Sequence, residues 1–529
     1  MVVDHREGGY VVTADGWGAP PGEPSFEMED NMDCPGSDDS TIGVKRGVVV
    51  LLWVAAALVL LSIFVRAGAI WRSGAAPDRV PGIWITLAQD FADGVFYRPL
   101  MDERGYGGTY FMPLHFVLHG TLIRAGLGPM FAGYLITLLS GVGLLAGVFH
   151  FLRVEGLEKK IGIPLTLLVL STAPAKLAVT VVRGDLLPAA LGVWGLAFCA
   201  SRLARKDRPN LFLPALLFAL AILAKITCVF GLAAAVLAFF LLKEWKTGWK
   251  ILGLTTVMVL AGCAVVYLAS GGRVLESLGQ CGSAGAGITS VLSGPVHMFD
   301  LYLRADPTGL IFLILAAGGL LTLSLKSWRE LPSLALLTTV VMTVPIFCVP
   351  GTSYNNLLDL NVIVVVFLGV QLAKGSLQRG LVVGVVALTA LVSSAHPFWL
   401  IGRPVSSRGE TDCTSVFTEP ATSGKPLLCE DAGLLVKYRL RPYMLDPFMF
   451  RVASQRRPEI AADFERKLVE RHFRAVVLVR NPETESGRRR YRKVHFGGKF
   501  LERLLENYER SGECDTLFIY RPRRPASPS

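Results

Sequence analysis

The chain is 529 residues long, 52% hydrophobic and only 18% charged, where a soluble domain carries about 25% charge, and its mean hydropathy is +0.48. This composition excludes a soluble globular protein and predicts a chain that lives in a bilayer. The formal net charge of +11 gathers in short loops and in an arginine-rich stretch (Arg488, Arg489, Arg490 and Arg492). That distribution suits the phosphates of membrane lipids and gives no reason to expect nucleic acid as a partner.

Residues 1–44 are acidic, rich in Gly and Pro and aperiodic, so a disordered cytoplasmic tail is expected there. The uninterrupted apolar run at 47–65 has the length needed to cross ~30 Å of hydrocarbon, about 20 residues at 1.5 Å each. It starts too late and runs too long for a cleaved signal peptide. Further apolar runs follow near 130–150, 162–181, 187–200, 210–225, 227–242, 250–270, 308–325, 332–350, 357–373 and 380–399. The expected fold is therefore an α-helical polytopic membrane protein with about eleven transmembrane helices over 45–400.

Every second connection is basic: Arg153, Lys159 and Lys160; Arg202, Arg205, Lys206 and Arg208; Lys243, Lys246 and Lys250; Lys326 and Arg329; Lys374 and Arg379. Lys and Arg beside spans are retained in the cytoplasm. With Lys45 and Arg46 before the first run, this predicts a cytoplasmic N-terminus and an extracytoplasmic C-terminus in a multi-pass protein of the bacterial inner (plasma) membrane.

The first external loop, 69–128, is dense in acids, arginines and tyrosines. Ile83, Trp84, Leu87, Ala88 and Phe91 recur at helical spacing, which predicts an amphipathic interfacial helix with Trp84 and Phe91 at headgroup depth. Its polar face carries Thr86, Gln89, Asp90 and Asp93. Turns follow at Gly94 and at Gly105, Gly107 and Gly108, and then a second short helix that holds His115, His119 and Arg124. The two histidines have metal-ligand spacing but no third ligand, so no metal site is predicted.

Beyond about residue 403 the composition becomes that of a soluble domain. Short apolar runs at 425–430, 474–480 and 514–522 alternate with amphipathic stretches at 461–473 and 500–512, which predicts a small extracytoplasmic α/β domain over 401–529. Cys199, Cys228 and Cys263 read as small hydrophobes within apolar runs. Cys413, Cys429 and Cys514 leave room for one external disulfide.

A first span, an external loop holding an acid, the elements Gly94, Tyr97, Pro113 and Leu114, many further spans and an external C-terminal domain together resemble the GT-C glycosyltransferases. The likeness runs from about 47 to 450 and takes in 181–198, Lys225, 350–360 and 427–450. It implies an integral membrane enzyme, nearest to the polyprenol-phosphate-mannose-dependent group. Such an enzyme moves a sugar from a polyprenyl-phosphate donor to a hydroxyl of a lipid, glycan or protein acceptor. One carboxylate then deprotonates the acceptor, cations hold the leaving phosphate, and no cofactor is required, with a divalent cation left open. On this reading Asp90 and Asp93 are the catalytic candidates, with Asp78 behind them; Tyr97, Arg98, Arg183, Asp185, Lys225 and Asn356 bind the donor. Asp90 and Asp93 pairing with Arg79 or Arg98 is the plainer alternative, as is snorkelling for Arg183. A transporter or flippase of lipid-linked glycans, or an outer-face glycan ligase or polymerase, is the alternative for the whole chain.

Overall fold

The computed structural model describes residues 46–73, 79–205, 210–282, 288–349, 352–375, 379–399, 414–419, 424–514 and 517–524. The tail expected over 1–44, and Asp78, lie outside the described residues. Each apolar run folds as helix. The first is α1 (Arg46–Ser73), followed by α2 (Arg79–Ala92), the short strands β1 (Met101–Asp102) and β2 (Gly105–Tyr106), and α3 (Leu114–Arg124). Then come α4 (Pro129–Val154), α5 (Lys159–Leu167), α6 (Ala173–Thr180), α7 (Leu186–Arg205), α8 (Phe212–Ala224), α9 (Phe230–Leu241), α10 (Trp245–Ala269), α11 (Arg273–Cys281) and α12 (Ile288–Ala305). The helical region closes with α13 (Pro307–Leu321), the single turn α14 (Leu325–Trp328), α15 (Leu331–Phe347), α16 (Leu358–Lys374) and α17 (Arg379–Trp399).

Among the described residues five helices are long and apolar enough to span a bilayer, and the bent pair of α5 and α6 brings this to six; α8, α9, α13, α15 and part of α17 are shorter apolar helices. The chain is a multi-pass membrane protein. Packing sorts the spans. The span at Tyr354–Lys374 is 89% buried, as expected of a central helix, whereas that at Trp245–Ala269 is 11% buried and offers its side chains to lipid.

The pair α5 and α6 bends by 83°. Pro164 sits inside α5 and Pro174 at the start of α6, and Thr172 between them is extended. Asp306 holds the break. Its Oδ1 accepts from Ala173 N at the head of α6 and from Gly309 N at the head of α13, while its Oδ2 accepts from Asn361 on α16. One buried carboxylate thus satisfies orphan donors of two helix termini inside the helical region, where each unpaired N–H is costly.

The connections between spans segregate to two faces. Lys374 pairs with Glu330 and stands 3.7 Å from Glu155, and Arg202 reaches Glu244 at 3.6 Å. At the opposite ends of α7 and α16 the segments around Asp185, Lys225 and Asn355 meet. The basic connections therefore share one side, as their alternation predicts.

The C-terminal region forms a four-stranded sheet, order β3-β4-β6-β5, from β3 (Leu427–Cys429), β4 (Ala475–Leu478), β5 (Tyr508–Cys514) and β6 (Leu517–Pro522); β3 runs parallel to β4 and the other pairs are antiparallel. Around it lie α18 (Thr414–Thr418), α19 (Ala432–Lys437), α20 (Pro447–Arg456), α21 (Pro458–Val469), α22 (Glu485–Lys493) and α23 (Phe500–Asn507). Phe450, Phe464, Phe473, Phe496 and Phe500 fill its core. Cys514 is disulfide-bonded, and Cys429 is a buried free thiol.

This region is stitched to the first loop. Tyr106 N donates to Tyr443 O at 2.8 Å and Leu445 N to Tyr106 O at 3.0 Å, with Gly105 at φ +110 directly against the Tyr443 carbonyl. Helix α2 is amphipathic as its spacing predicts, but protein rather than lipid covers its apolar face. Trp84 is 5% exposed, Gly82 lies on the Gly433 backbone and Gly120 of α3 on Ala88.

Candidate active site

The expected site residues fall into two charge clusters and two outliers. In the first cluster, α6 ends at Thr180, and Val181 is extended. This brings Arg183, Gly184 and Asp185 round a turn into α7. A side chain on Gly184 would strike the Trp84 indole, so the turn is seated directly on α2. Asp185 precedes the first residue of α7, where a helix N-terminus favours negative charge, and Lys225 is the C-cap of α8, where a C-terminus favours a cation.

Lys225 Nζ lies 3.1 Å from Asp185 Oδ1 and 3.9 Å from Asp359 Oδ2, and Arg183 Nε lies 3.4 Å from Asp185 Oδ2. Asn355 Nδ2 donates to Asp185 at 3.2 Å. Burial pushes the Asp185 carboxyl up, but the charges of Lys225 and Arg183 and the hydrogen bonds from Lys225 and Asn355 outweigh it and hold the pKa below the usual range. Burial likewise pushes Lys225 down, and the two carboxylates more than restore it. Asp185 and Lys225 are thus both charged at neutral pH. Two atoms of the cluster are buried with no hydrogen-bond partner among the described residues, Arg183 Nε and Asp359 Oδ1. A guanidinium donor and a carboxylate oxygen left without hydrogen-bond partners in one cluster equip it to take a polar ligand.

The second cluster ties α2 to the C-terminal region. Arg98 grips Asp90 with Nε at 2.7 Å from Oδ2 and Nη2 at 2.9 Å from Oδ1, and donates from Nη1 to Pro442 O at 2.8 Å. Arg441 adds a contact to Asp90 at 3.3 Å, reaches Gln89, and pairs with Asp93. Asp90 is buried, and the Asp93 side chain is 63% exposed.

The outliers are Tyr97 and Asn356. Tyr97 is buried at φ +56 and spends its hydroxyl on Phe111 O at 2.8 Å, while Asn356 donates to Ser353 O within its own turn. Asn355, its neighbour, is the residue that reaches Asp185.

Around the first cluster stand Tyr110, within electrostatic reach of Asp185, Arg183, Lys225 and Asp446, and His115, packed edge-on against Trp84 at 4.8 Å. Neither His115 nitrogen has a hydrogen-bond partner among the described residues, and burial pushes its pKa down to about 3, so it is neutral. His119 bonds Pro129 O instead of joining a ligand set. No three His, Cys, Asp or Glu side chains converge as metal ligands among the described residues. The space between Asp185 and Asp359 is taken by the Lys225 ammonium. Arg441 is the contributor that the sequence did not offer, while Asn355 and Asp359 come from the same external turn as Asn356, which could bind sugar hydroxyls or simply end a helix; all lie in the stretches 427–450 and 350–360 that carried the resemblance.

No protein-family model and no curated protein matches the chain. Solved structures do. The chain is similar to ArnT from Cupriavidus metallidurans bound to undecaprenyl phosphate, with 13% identity and a TM-score of 0.52 over 90% of this chain and 97% of that one. It is similar also to the Archaeoglobus fulgidus oligosaccharyltransferase tethered with an acceptor peptide, with 12% identity and a TM-score of 0.51 over 91% of this chain and 74% of that one. At such identities the likeness is one of fold. The chain is a multi-pass membrane protein that shares the fold of these two structures, in keeping with the resemblance to the GT-C glycosyltransferases drawn from the order of its sequence elements.

Proposed function

We propose that the chain is a membrane glycosyltransferase that moves a sugar from a polyprenyl-phosphate donor to an acceptor hydroxyl on the extracytoplasmic face. One observation carries this reading. Arg183 and Lys225 converge at span ends beside Asp185, and the buried Nε of Arg183 is left without a hydrogen-bond partner. A polyprenyl phosphate presents its phosphate at that depth while its tail stays in lipid. The fold shared with a structure bound to undecaprenyl phosphate supports the same donor class.

In the transfer, a base takes the proton of the acceptor hydroxyl, the acceptor oxygen bonds the anomeric carbon, and the bond from that carbon to the phosphate oxygen breaks. The electron pair leaves with the polyprenyl phosphate, whose growing charge Arg183 and Lys225 offset. We assign the base to Asp90, with Asp93 next. The guanidinium of Arg98 holds Asp90 at 2.7 Å, and proton transfer requires that grip to loosen. A second reading gives the base to Asp359, because its nearest cation, Lys225, stands 3.9 Å away whereas both Asp90 oxygens lie within 3.3 Å of guanidinium nitrogens; Oδ1 of Asp359 and Oδ2 of Asp90 alike have no hydrogen-bond partner among the described residues.

The orientation rests on two supports. The basic connections share one face, which the retention of Lys and Arg assigns to the cytoplasm. A disulfide at Cys514 suits an exported, oxidising side for the C-terminal region. Assaying sugar transfer by Asp90→Asn and Asp359→Asn in membranes tests the base. Loss in Asp90→Asn alone, at unchanged donor affinity, supports the first reading, and loss in Asp359→Asn alone supports the second. Full transfer by both removes both assignments.

A further inference from the structure

A second polar site lies where the start of α2 meets the C-terminal region. A cavity of about 260 Å³ is lined by Arg79 and Val80 from α2 and by Glu430, Asp431, Val479 and Arg490. The proposed transfer makes no use of it. At its base Glu430 is 1% exposed and saturated. Oε1 accepts from Arg490 Nε at 2.9 Å and from His495 Nδ1, and Oε2 accepts from Tyr491 Oη at 2.7 Å and Val479 N at 2.9 Å. Since Nδ1 of His495 donates, its Nε2 is an acceptor, and Arg79 Nη1 donates to it. Burial pushes His495 below its usual pKa despite the Glu430 hydrogen bond, which keeps the ring neutral.

The consequence is an asymmetry between donors and acceptors. Glu430 has no lone pair left for a ligand, and Asp431 caps α19 through Gly433 N. Arg490 spends only Nε, and Arg79 only Nη1; their remaining nitrogens have no hydrogen-bond partner among the described residues. Arg79 is moreover a cation whose partner is a neutral ring. The cavity thus offers several unspent guanidinium N–H groups, anchored through the buried Glu430 network, against acceptors from the Asp431 carboxylate alone. On the same helix as Arg490, the exposed Arg488, Arg489, Arg492 and Lys493 raise the local positive potential. A fork of anchored guanidiniums matches the planar or tetrahedral oxygens of a carboxylate or phosphate.

We propose that this cavity is an oxyanion site that receives the carboxylate or phosphate of an acidic saccharide acceptor. Its role as an acceptor site rests on the function proposed above; the anion binding itself does not. The purified full chain, in neutral detergent at fixed ionic strength, is titrated calorimetrically with inorganic phosphate, with glucuronate and with glucose. Saturable binding of an oxyanion but not of glucose is expected, weakened about tenfold or more in Arg79→Gln and in Arg490→Gln. A preference for glucuronate marks a uronate acceptor, and a preference for phosphate a phosphorylated one. Arg79→Gln is the cleaner variant, because Arg79 does not touch Glu430. Oxyanion binding that survives both substitutions and disappears in Arg183→Gln would place the ion at the Lys225 cluster. That result overturns this inference and leaves the proposed function standing. Absence of saturable binding, or equal binding of glucose, overturns it as well. Loss of oxyanion binding in Arg79→Gln, in a wild type that transfers no sugar from polyprenyl phosphates, sustains the site and sinks the function.

Discussion

Replacing Arg183 by Gln keeps a polar side chain but removes the charge that faces Asp185, and with it the open Nε. If that guanidinium offsets charge growing on a leaving phosphate, kcat/KM for transfer falls by about 100-fold, the scale of losing one donor aimed at a developing oxyanion. A variant that folds, binds donor and transfers at the wild-type rate would show that Arg183 only snorkels. Asp90→Asn tests a different balance. It leaves Arg98 and Arg441 without their shared carboxylate, and breaking a buried pair costs about 3 kcal/mol. A drop in activity no larger than the matching drop in stability would reduce Asp90 to a structural tie. Asp90 and Arg98 were legible as a pair because they sit eight residues apart in one loop. Arg441 was not, since it comes from 351 residues away and nothing in the sequence couples the two. Asn355 and Asn356 show a finer limit. They share a 3₁₀ turn, Tyr354–Leu357, in which one step rotates a side chain by about 120°, so only one of them faces Asp185. Which one depends on packing that the sequence does not display.

Helices announced themselves by apolar run length, and each run became helix because a bilayer leaves the backbone few other ways to pair its N–H and C=O groups. The bend within 162–181 did not announce itself. Pro164 and Pro174 are consistent with it, but the group that fixes the break is Asp306, which lies 133 residues from Ala173 and pairs with it only in the folded chain. Helix α2 was legible from its periodicity, yet periodicity reports only that one face is apolar. It cannot say whether lipid, α3 or α19 will cover that face. The stitch between β2 and the segment 443–445 can be opened selectively. Gly105 holds φ +110, and a Cβ there would meet the Tyr443 carbonyl oxygen, so Gly105→Ala combines a strained backbone with a clash. The expected result is faster amide exchange over 101–106 and 443–445, with the helical region unchanged. Unaltered protection in both segments would mean that the stitch is not what holds the first loop in place.

Across the described residues, the basic connections meet on one face and the candidate site on the other, the arrangement that the alternation of Lys and Arg predicts. What stayed hidden was how the C-terminal region holds the first loop, through Arg441, the β2 stitch and the Glu430 network. That network is expected to show in the pH dependence of stability. Burial pushes Glu430 up, but the hydrogen bonds from His495 and Val479 and the charge of Arg490 outweigh it and hold its pKa at about 2. Because the folded value lies below the free value, the contribution is complete above pH about 4.5 and is lost as the pH falls towards 2, on the order of 3 kcal/mol in all. Thermal melts of wild type and Glu430→Gln should therefore converge over that window. Parallel curves would show that Glu430 is not ionised by its surroundings in this way. The function has its own direct measurement. Membranes containing the wild-type chain are incubated with labelled polyprenyl-phosphate sugars and an extract of envelope lipids, glycans and proteins, and the label is followed. Label passing from a monophosphate donor to an acceptor, and falling steeply in Arg183→Gln, is the predicted result. No transfer from any monophosphate donor, by a chain shown to be folded, would contradict the proposed glycosyltransferase.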